Sequence, residues 1–287
     1  MRDLYAEVTD RIIAALETGT PPWVRPWSGG GITTPINAAS RRPYRGVNLL
    51  LLTLEQQARG YARNAWLTFR QAAELGGHVR KGEHGTTVVF YKLQERTREN
   101  EEEETRLVPL LRAFTVFNVA QIEGLPARLV EPPPAPAWEP QDEAERVLES
   151  SGARLQREGV AAFYRPADDT IVLPAPGLFH SGVDYYATAL HELTHWTGHP
   201  DRCNRQFPRR FGDEAYAVEE LVAEIGSAFL CAHCRIDGRL QHSSYVASWL
   251  KVLKADKRAV FTASSQAQRA ADFVLGLAAR APEAVAA

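Results

Sequence analysis

Of the five positions 132–136, four are proline, inside the stretch "EPPPAPAWEPQ". A run of this kind holds the backbone near polyproline II and can neither continue a helix nor sit inside a sheet. In a chain of 287 residues it falls close to the middle. The stretches on either side, 1–130 and 141–287, are each of ordinary domain size, so 131–140 reads as a linker between two domains. A content of 45% hydrophobic and 24% charged residues allows a real core on both sides. No apolar run approaches the roughly 18 residues that span a bilayer, so no membrane partner is expected. The first stretch, "MRDLYAEVTDRIIAALETG", reads as a charged amphipathic helix rather than a signal peptide. Three cysteines, Cys203, Cys231 and Cys234, give no disulfide framework, and a cytoplasmic location follows as the expectation. The Cys231–Cys234 pair lacks a second such pair and reads as packed thiols.

The second half is dominated by helical periodicity, around 183–198, 213–234, 243–255 and 257–280, preceded by a helix at 141–151 and a hairpin in "VAAFYRPADDTIVLP". Within "YYATALHELTHWTGHP" stands His-Glu-x-x-His, with His191 and His195 four residues apart. That spacing puts both imidazoles on one face of a helix, within reach of one ion. Tyr186, Ala189, Leu190, Leu193 and Thr197 fall on the opposite, packable side. Glu192 sits one step round from His191, placed to accept a proton beside the metal as a general base. A third ligand is expected from "EAYAVEELVAEIGSAFL". Its core face is Leu221, Val222, Ile225 and Phe229, and Glu220 and Glu224 share another face. Glu220 is the expected third zinc ligand. Glu224, a turn away, is expected to accept a hydrogen bond from a ligand histidine. Glu219 points about 100° from Glu220 by helical geometry and is the less favoured choice. The competing reading is two unrelated histidines matching a short pattern. Tyr245, at the start of "YVASWLKVLKADKR", is expected to pack rather than to act on substrate.

This arrangement resembles the gluzincin metallopeptidases, in which a His-Glu-x-x-His helix is followed by a helix bearing a glutamate and a second acidic residue four positions on. The resemblance implies a divalent zinc ion, Zn2+. It also implies an edge strand that pairs with an extended peptide, for which Ile171 to Leu173 is the expectation.

The first half mixes helices, at 3–18 and in "RGVNLLLLTLEQQARG" and "TFRQAAELGG", with strands in "TTVVFYKL" and "RLVPLLRAFTVFNV". Its charge is uneven. Between positions 20 and 92 lie ten basic side chains (Arg25, Arg41, Arg42, Arg45, Arg59, Arg63, Arg70, Arg80, Lys81, Lys92) against three acidic ones, a net of +7 in a chain whose total is -2. Trp23, Trp27, Tyr44, Tyr61, Trp66 and Phe69 are interleaved with them. Charge for a phosphate backbone plus rings for bases is the chemistry of a single-strand binder. The plainer alternative is tryptophans in a core and arginines on a surface.

The segments "PPWVRPW", "PINAASRRPYRGVNLLLL", "AWLTFRQAAELGGHVRKGEHGTTVVFY" and "VFNVAQIEGLP" resemble the N-terminal domain of the ArdC-type antirestriction proteins of conjugative plasmids. "HELTHWTGHPDRCNR", "YAVEELVAEIGSAFL" and "YVASWLKVLKADKRAVFTASSQAQRAADFVL" resemble their zincin-like C-terminal domain. The resemblance implies an α+β chain of two domains: a mixed α/β DNA-binding domain over 1–130 and a mostly helical gluzincin domain over 141–287. It implies single-stranded DNA as partner and a metallopeptidase-like domain whose substrate it leaves open; double-stranded DNA is a further candidate partner and a restriction-system component a candidate protein substrate. The function it implies is protection of incoming DNA from restriction. Arg41, Arg42, Arg45, Arg80 and Lys81 flank the family-like "PYRGVN" and "VRKGEHG" turns and are the expected phosphate contacts, with Tyr44 and Trp66 as stacking rings. The alternative function is a non-catalytic protein that coats DNA or blocks a restriction enzyme, with a structural or vestigial zinc.

Overall fold

The computed structural model describes residues 3–18, 34–96, 106–130, 140–205, 214–236 and 243–280. Trp23, Trp27 and Arg25, the acidic stretch "ENEEEET" at 99–105 and the proline linker at 131–139 lie outside these residues. The first half contains α1 (Leu4–Glu17), β1 (Ile36–Asn37), α2 (Val47–Arg59), β2 (Ala65–Thr68), α3 (Phe69–Glu74), β3 (His78–Val79), β4 (Thr86–Arg96), β5 (Arg106–Asn118), β6 (Ile122–Glu123) and α4 (Ala127–Val130). The second contains α5 (Pro140–Ser151), β7 (Arg154–Arg157), β8 (Phe163–Arg165), β9 (Thr170–Leu173), α6 (Gly182–Trp196), α7 (Glu214–Cys234), α8 (Ser243–Ala255) and α9 (Ala259–Arg280). The expected α+β architecture is present, sheet-rich in the first half and helical in the second.

Local chemistry explains the boundaries. Asp3 caps α1, its carboxylate accepting from the backbone N–H of Tyr5 and Ala6 at 3.0 and 3.1 Å. Thr68 and Gln71 close a reciprocal capping box at the start of α3. Gly60 ends α2 in the left-handed region, with φ of 65°, where a side chain would be strained. Strands β4 and β5 pair antiparallel from Thr86↔Val116 out to Arg96↔Arg106. With β2 and β1 they make a sheet of order β1-β2-β5-β4.

The second sheet has the order β7-β9-β8. Strand β9 is therefore central, paired parallel to β7 and antiparallel to β8, and Ile171, Val172 and Leu173 are buried. This corrects the expectation that Ile171 to Leu173 form a free edge. Their uninterrupted apolar run is that of a strand covered on both sides, and the edges of this sheet are β7 and β8.

The apolar core does not divide at the proline run. Val8, Ile12 and Leu16 of α1, Leu49, Leu50 and Leu51 of α2 and Val89 of β4 belong to the same buried cluster as Leu190, Leu193, Leu221, Val260 and Val274 of the second half. Polar contacts follow the same seam. The buried Thr9 hydroxyl donates to the Lys257 carbonyl at 2.7 Å, Lys257 pairs with Asp10 at 2.7 Å, and the Gly46 N–H donates to Gln268 at 3.0 Å. Helix α1 is thus sequence from the first domain packed as a member of the second domain's core. No helix among the described residues is long and apolar enough to cross a membrane.

Candidate metal centre and nucleic-acid face

Helices α6 and α7 pack closely because small residues meet at their crossing. A Cβ on Gly226 would lie 2.5 Å from Thr194 Cγ2, and the Ser227 hydroxyl donates to the Ala187 carbonyl at 3.1 Å. This close approach lets a glutamate one and a half turns earlier on α7 reach α6. Glu220 Oε2 lies 3.6 Å from His191 Nε2, and Glu220 Oε1 lies 3.5 Å from His195 Nε2. The three donor atoms fall within 4.8 Å of one another, and all three side chains are largely buried. Two imidazole nitrogens and a carboxylate oxygen facing one point are the donor set of a divalent metal.

The electrostatics describe a site built to hold positive charge. Burial opposes ionisation of Glu220, but its hydrogen bond with His191 and the charge of His195 outweigh this and bring its pKa down to about 2. Burial likewise disfavours a charged His195. The hydrogen bond to Glu219 and the carboxylates of Glu219, Glu192 and Glu220 overcome it and raise the pKa to about 9. A cation bound at this point would take over the role of the His195 proton.

Behind the ligands is a buried ion pair. Glu219 Oε1 lies 3.1 Å from His195 Nδ1. The same carboxylate is gripped by Arg205, through Nε at 3.0 Å and Nη2 at 2.9 Å. Arg205 also donates to the Thr197 hydroxyl at 2.8 Å and to the Thr194 carbonyl at 2.7 Å, so its charge satisfies the C-terminal end of α6. Glu219, which helical geometry alone had made the less favoured metal ligand, contacts the ligand histidine His195. Adjacent residues on α7 diverge by about 100°, yet both reach α6 because Glu220 takes the Nε2 side of the His195 ring and Glu219 the Nδ1 side. Glu224 is buried one turn further along α7.

The centre opens into a cleft of about 280 Å³. Glu192 lines it beside the three donors. Phe163 and Tyr164 of β8 form one wall, and Tyr216 and Tyr245 form another. The two tyrosine hydroxyls lie 3.1 Å apart. Tyr245 also stacks on Trp249, with ring centroids 6.2 Å apart, so it both packs, as expected, and faces the cleft. Cys231 and Cys234 are buried free thiols.

Residues 142–266 match the model of a zincin-like metallopeptidase family, and residues 2–117 match that of the N-terminal domain of anti-restriction factor ArdC. The metal-free crystal structure of the antirestriction ArdC protein from the R388 plasmid is similar with a TM-score of 0.84 and 43% identity, over 98% of this chain and 100% of that one. The chain belongs to the ArdC-type antirestriction proteins. The Mn(II)-bound structure of the R388 protein is similar with a TM-score of 0.81 and 42% identity, over the same shares of the two chains, which fits a divalent metal at such a centre. An uncharacterized protein of Sinorhizobium fredii, y4eC, is 42% identical over 95% of this chain and 91% of its own length. The DNA primase TraC of Escherichia coli is 39% identical over 96% of this chain, which spans only 27% of that relative.

In the ArdC-type N-terminal domain the expected DNA contacts are only partly free to act. Trp66 is 0% exposed, and its indole N–H donates to Asn64 at 2.7 Å. This corrects its assignment as a stacking ring: it is core, because β2 pairs with strands on both sides and Leu52, Val88 and Val116 close over it. Tyr44 is half-buried on that same cluster, and burial raises the pKa of its phenol. Arg45 pairs with Asp272 of α9, and Arg80 with Glu83 at 2.6 Å. Arg41, Arg42 and Lys81 are exposed. Two rings that sequence reasoning passed over, Phe90 and Phe114, are about half exposed on the sheet. The alternation of β4 and β5 could have placed them on one face, but not shown that the face was uncovered.

Proposed function

We propose that this protein protects incoming DNA from restriction by binding single-stranded DNA through its first half and hydrolysing a peptide bond at a zinc centre in its second. The observation that carries the hydrolytic reading is the meeting of His191, His195 and Glu220 donor atoms within 4.8 Å, with Glu192 in the same cleft. His191, His195 and Glu220 would hold the zinc, which when bound polarises a carbonyl and acidifies water. Glu192 is the base: its carboxylate is held largely out of solvent and beside the donors, where it can take a proton from water and pass it to the leaving amine. Glu219 keeps the His195 ring turned with Nε2 toward the metal. Strand β8, with one edge unpaired in its sheet, offers backbone groups to an extended peptide. Among the described residues Arg41, Arg42 and Lys81 supply charge for phosphates. A restriction-system component is the substrate class that would join the two activities.

The experiment is a conjugation or transformation assay into a restricting host with Glu192→Gln. The amide leaves the donor set intact but cannot accept the proton, so metal content should be unchanged and protection lost. Full protection by a metal-loaded Glu192→Gln protein would reject hydrolysis in favour of a protein that coats DNA or blocks the restriction enzyme.

A further inference from the structure

Side chains alternate along a strand, and residues paired across antiparallel strands share a face. Val88 pairs with Phe114 and Phe90 with Arg112, while Val116 pairs with both Thr86 and Thr68. These residues, with Trp66, therefore lie on one face of the four-stranded sheet. Among the described residues the face is covered at one end. Leu52, Trp66, Val88 and Val116 form a buried cluster there, with Tyr44 and Tyr61 packed on its margin.

Beyond that cluster the cover stops. Phe90 is 52% and Phe114 48% exposed. They are diagonal neighbours on adjacent strands, a separation of about 7–8 Å that long or aromatic side chains bridge. Arg112, opposite Phe90, is exposed. Past β2, on the far margin of the sheet, Arg63 and Arg41 lie near enough for their charges to interact. The Arg63 guanidinium has its pKa lowered, first by burial and then by the neighbouring charge of Arg41. Two flat rings with cations beside them and at the far margin suit an occupant that is both aromatic and anionic.

We infer that the uncovered face of β4 and β5 is a binding surface for single-stranded nucleic acid, with bases stacked on Phe90 and Phe114 and backbone phosphate on Arg112. The inference rests on the single-strand reading proposed above and places the stacking on rings other than Trp66, which is sealed in the core. Stacking on exposed rings tolerates any base, because every base has a π-face. The surface should therefore show little sequence preference.

The test is fluorescence anisotropy of the full chain with a labelled oligothymidylate at several salt concentrations. Phe90→Ala and Phe114→Ala should each weaken binding roughly 5- to 150-fold with little change in salt dependence. Phe→Leu at either position keeps apolar bulk without the ring and should also weaken it. Arg112→Ala should lower the log-log salt slope by about 0.7. Leu178→Ala, at a side chain 63% exposed in the other half, should behave as wild type. Circular dichroism melts establish that each variant is folded. If an alanine variant is not folded, fluorinated phenylalanine at 90 and 114 in the otherwise wild-type chain replaces it, and both ring signals should move on adding the oligonucleotide. No binding by the wild type at low salt would overturn the single-strand reading and this face with it. Tight binding by the wild type and by all the folded phenylalanine variants, or unmoved ring signals, would overturn this face alone. A phenylalanine variant that binds normally but loses self-association by sedimentation would make the face a contact between copies of the chain, which also overturns the inference.

Discussion

Glu219 faces two partners at once: one carboxylate oxygen is 3.1 Å from His195 Nδ1, and both oxygens are held by the buried guanidinium of Arg205. The pair fixes the orientation of the imidazole, so that Nε2 would face a bound metal, and keeps the fixing carboxylate ionised. Glu219→Gln removes the charge but preserves the shape. Metal affinity should fall about 10- to 100-fold, as for other partners of ligand histidines, measured by competition with a chromophoric chelator. Unchanged affinity would reduce the pair to a structural strut. Arg205→Met should also lower unfolding stability by about 3–5 kcal/mol, because it leaves a buried carboxylate uncompensated.

The metal itself should report the ligand set. His191→Ala and Glu220→Ala are expected to lose zinc in elemental analysis of dialysed protein, since each removes one of three donors that meet at one point. Retention of a full equivalent by Glu220→Ala would pass the third-ligand role to another carboxylate, with Glu224 next in line.

Gly226 sets the distance between α6 and α7. A methyl group there would collide with Thr194 Cγ2 at 2.5 Å. Gly226→Ala should therefore destabilise the fold by about 1–3 kcal/mol through overpacking. It should also weaken metal binding, because Glu220 rides on the displaced helix. Denaturant unfolding with and without metal reads both effects, and a stable variant with normal affinity would show that the crossing can relax.

The shared core bears on how the two halves stand alone. A fragment ending at residue 130 leaves Val8, Ile12, Leu16 and Leu50 without the partners they have in the full chain. It should bind a hydrophobic dye and melt without a sharp transition, whereas the full chain should unfold cooperatively. A compact fragment with a sharp melt would show that the seam is dispensable and that the proline run marks an independent folding unit.

Much of this protein is local and therefore legible in its sequence. The period of apolar residues fixed α6, α7, α8 and α9 to within a few residues, and the spacing of His191 and His195 put both rings on one helical face. Caps and stops such as Asp3, Thr68 and Gly60 are read by the backbone beside them. Other features depend on partners far along the chain. Which of Glu219, Glu220 and Glu224 meets which histidine follows from the α6–α7 crossing, set by Gly226 and Thr194 some thirty residues apart. That β9 is central and β7 and β8 the edges follows from sheet order, because an apolar run does not say how many neighbours a strand has. That Trp66 is sealed while Phe90 and Phe114 lie open depends on where Leu52 comes to rest over the sheet. Aromatic composition is the same in both cases. Burial is a property of what packs on a residue, and only the tertiary structure assigns it.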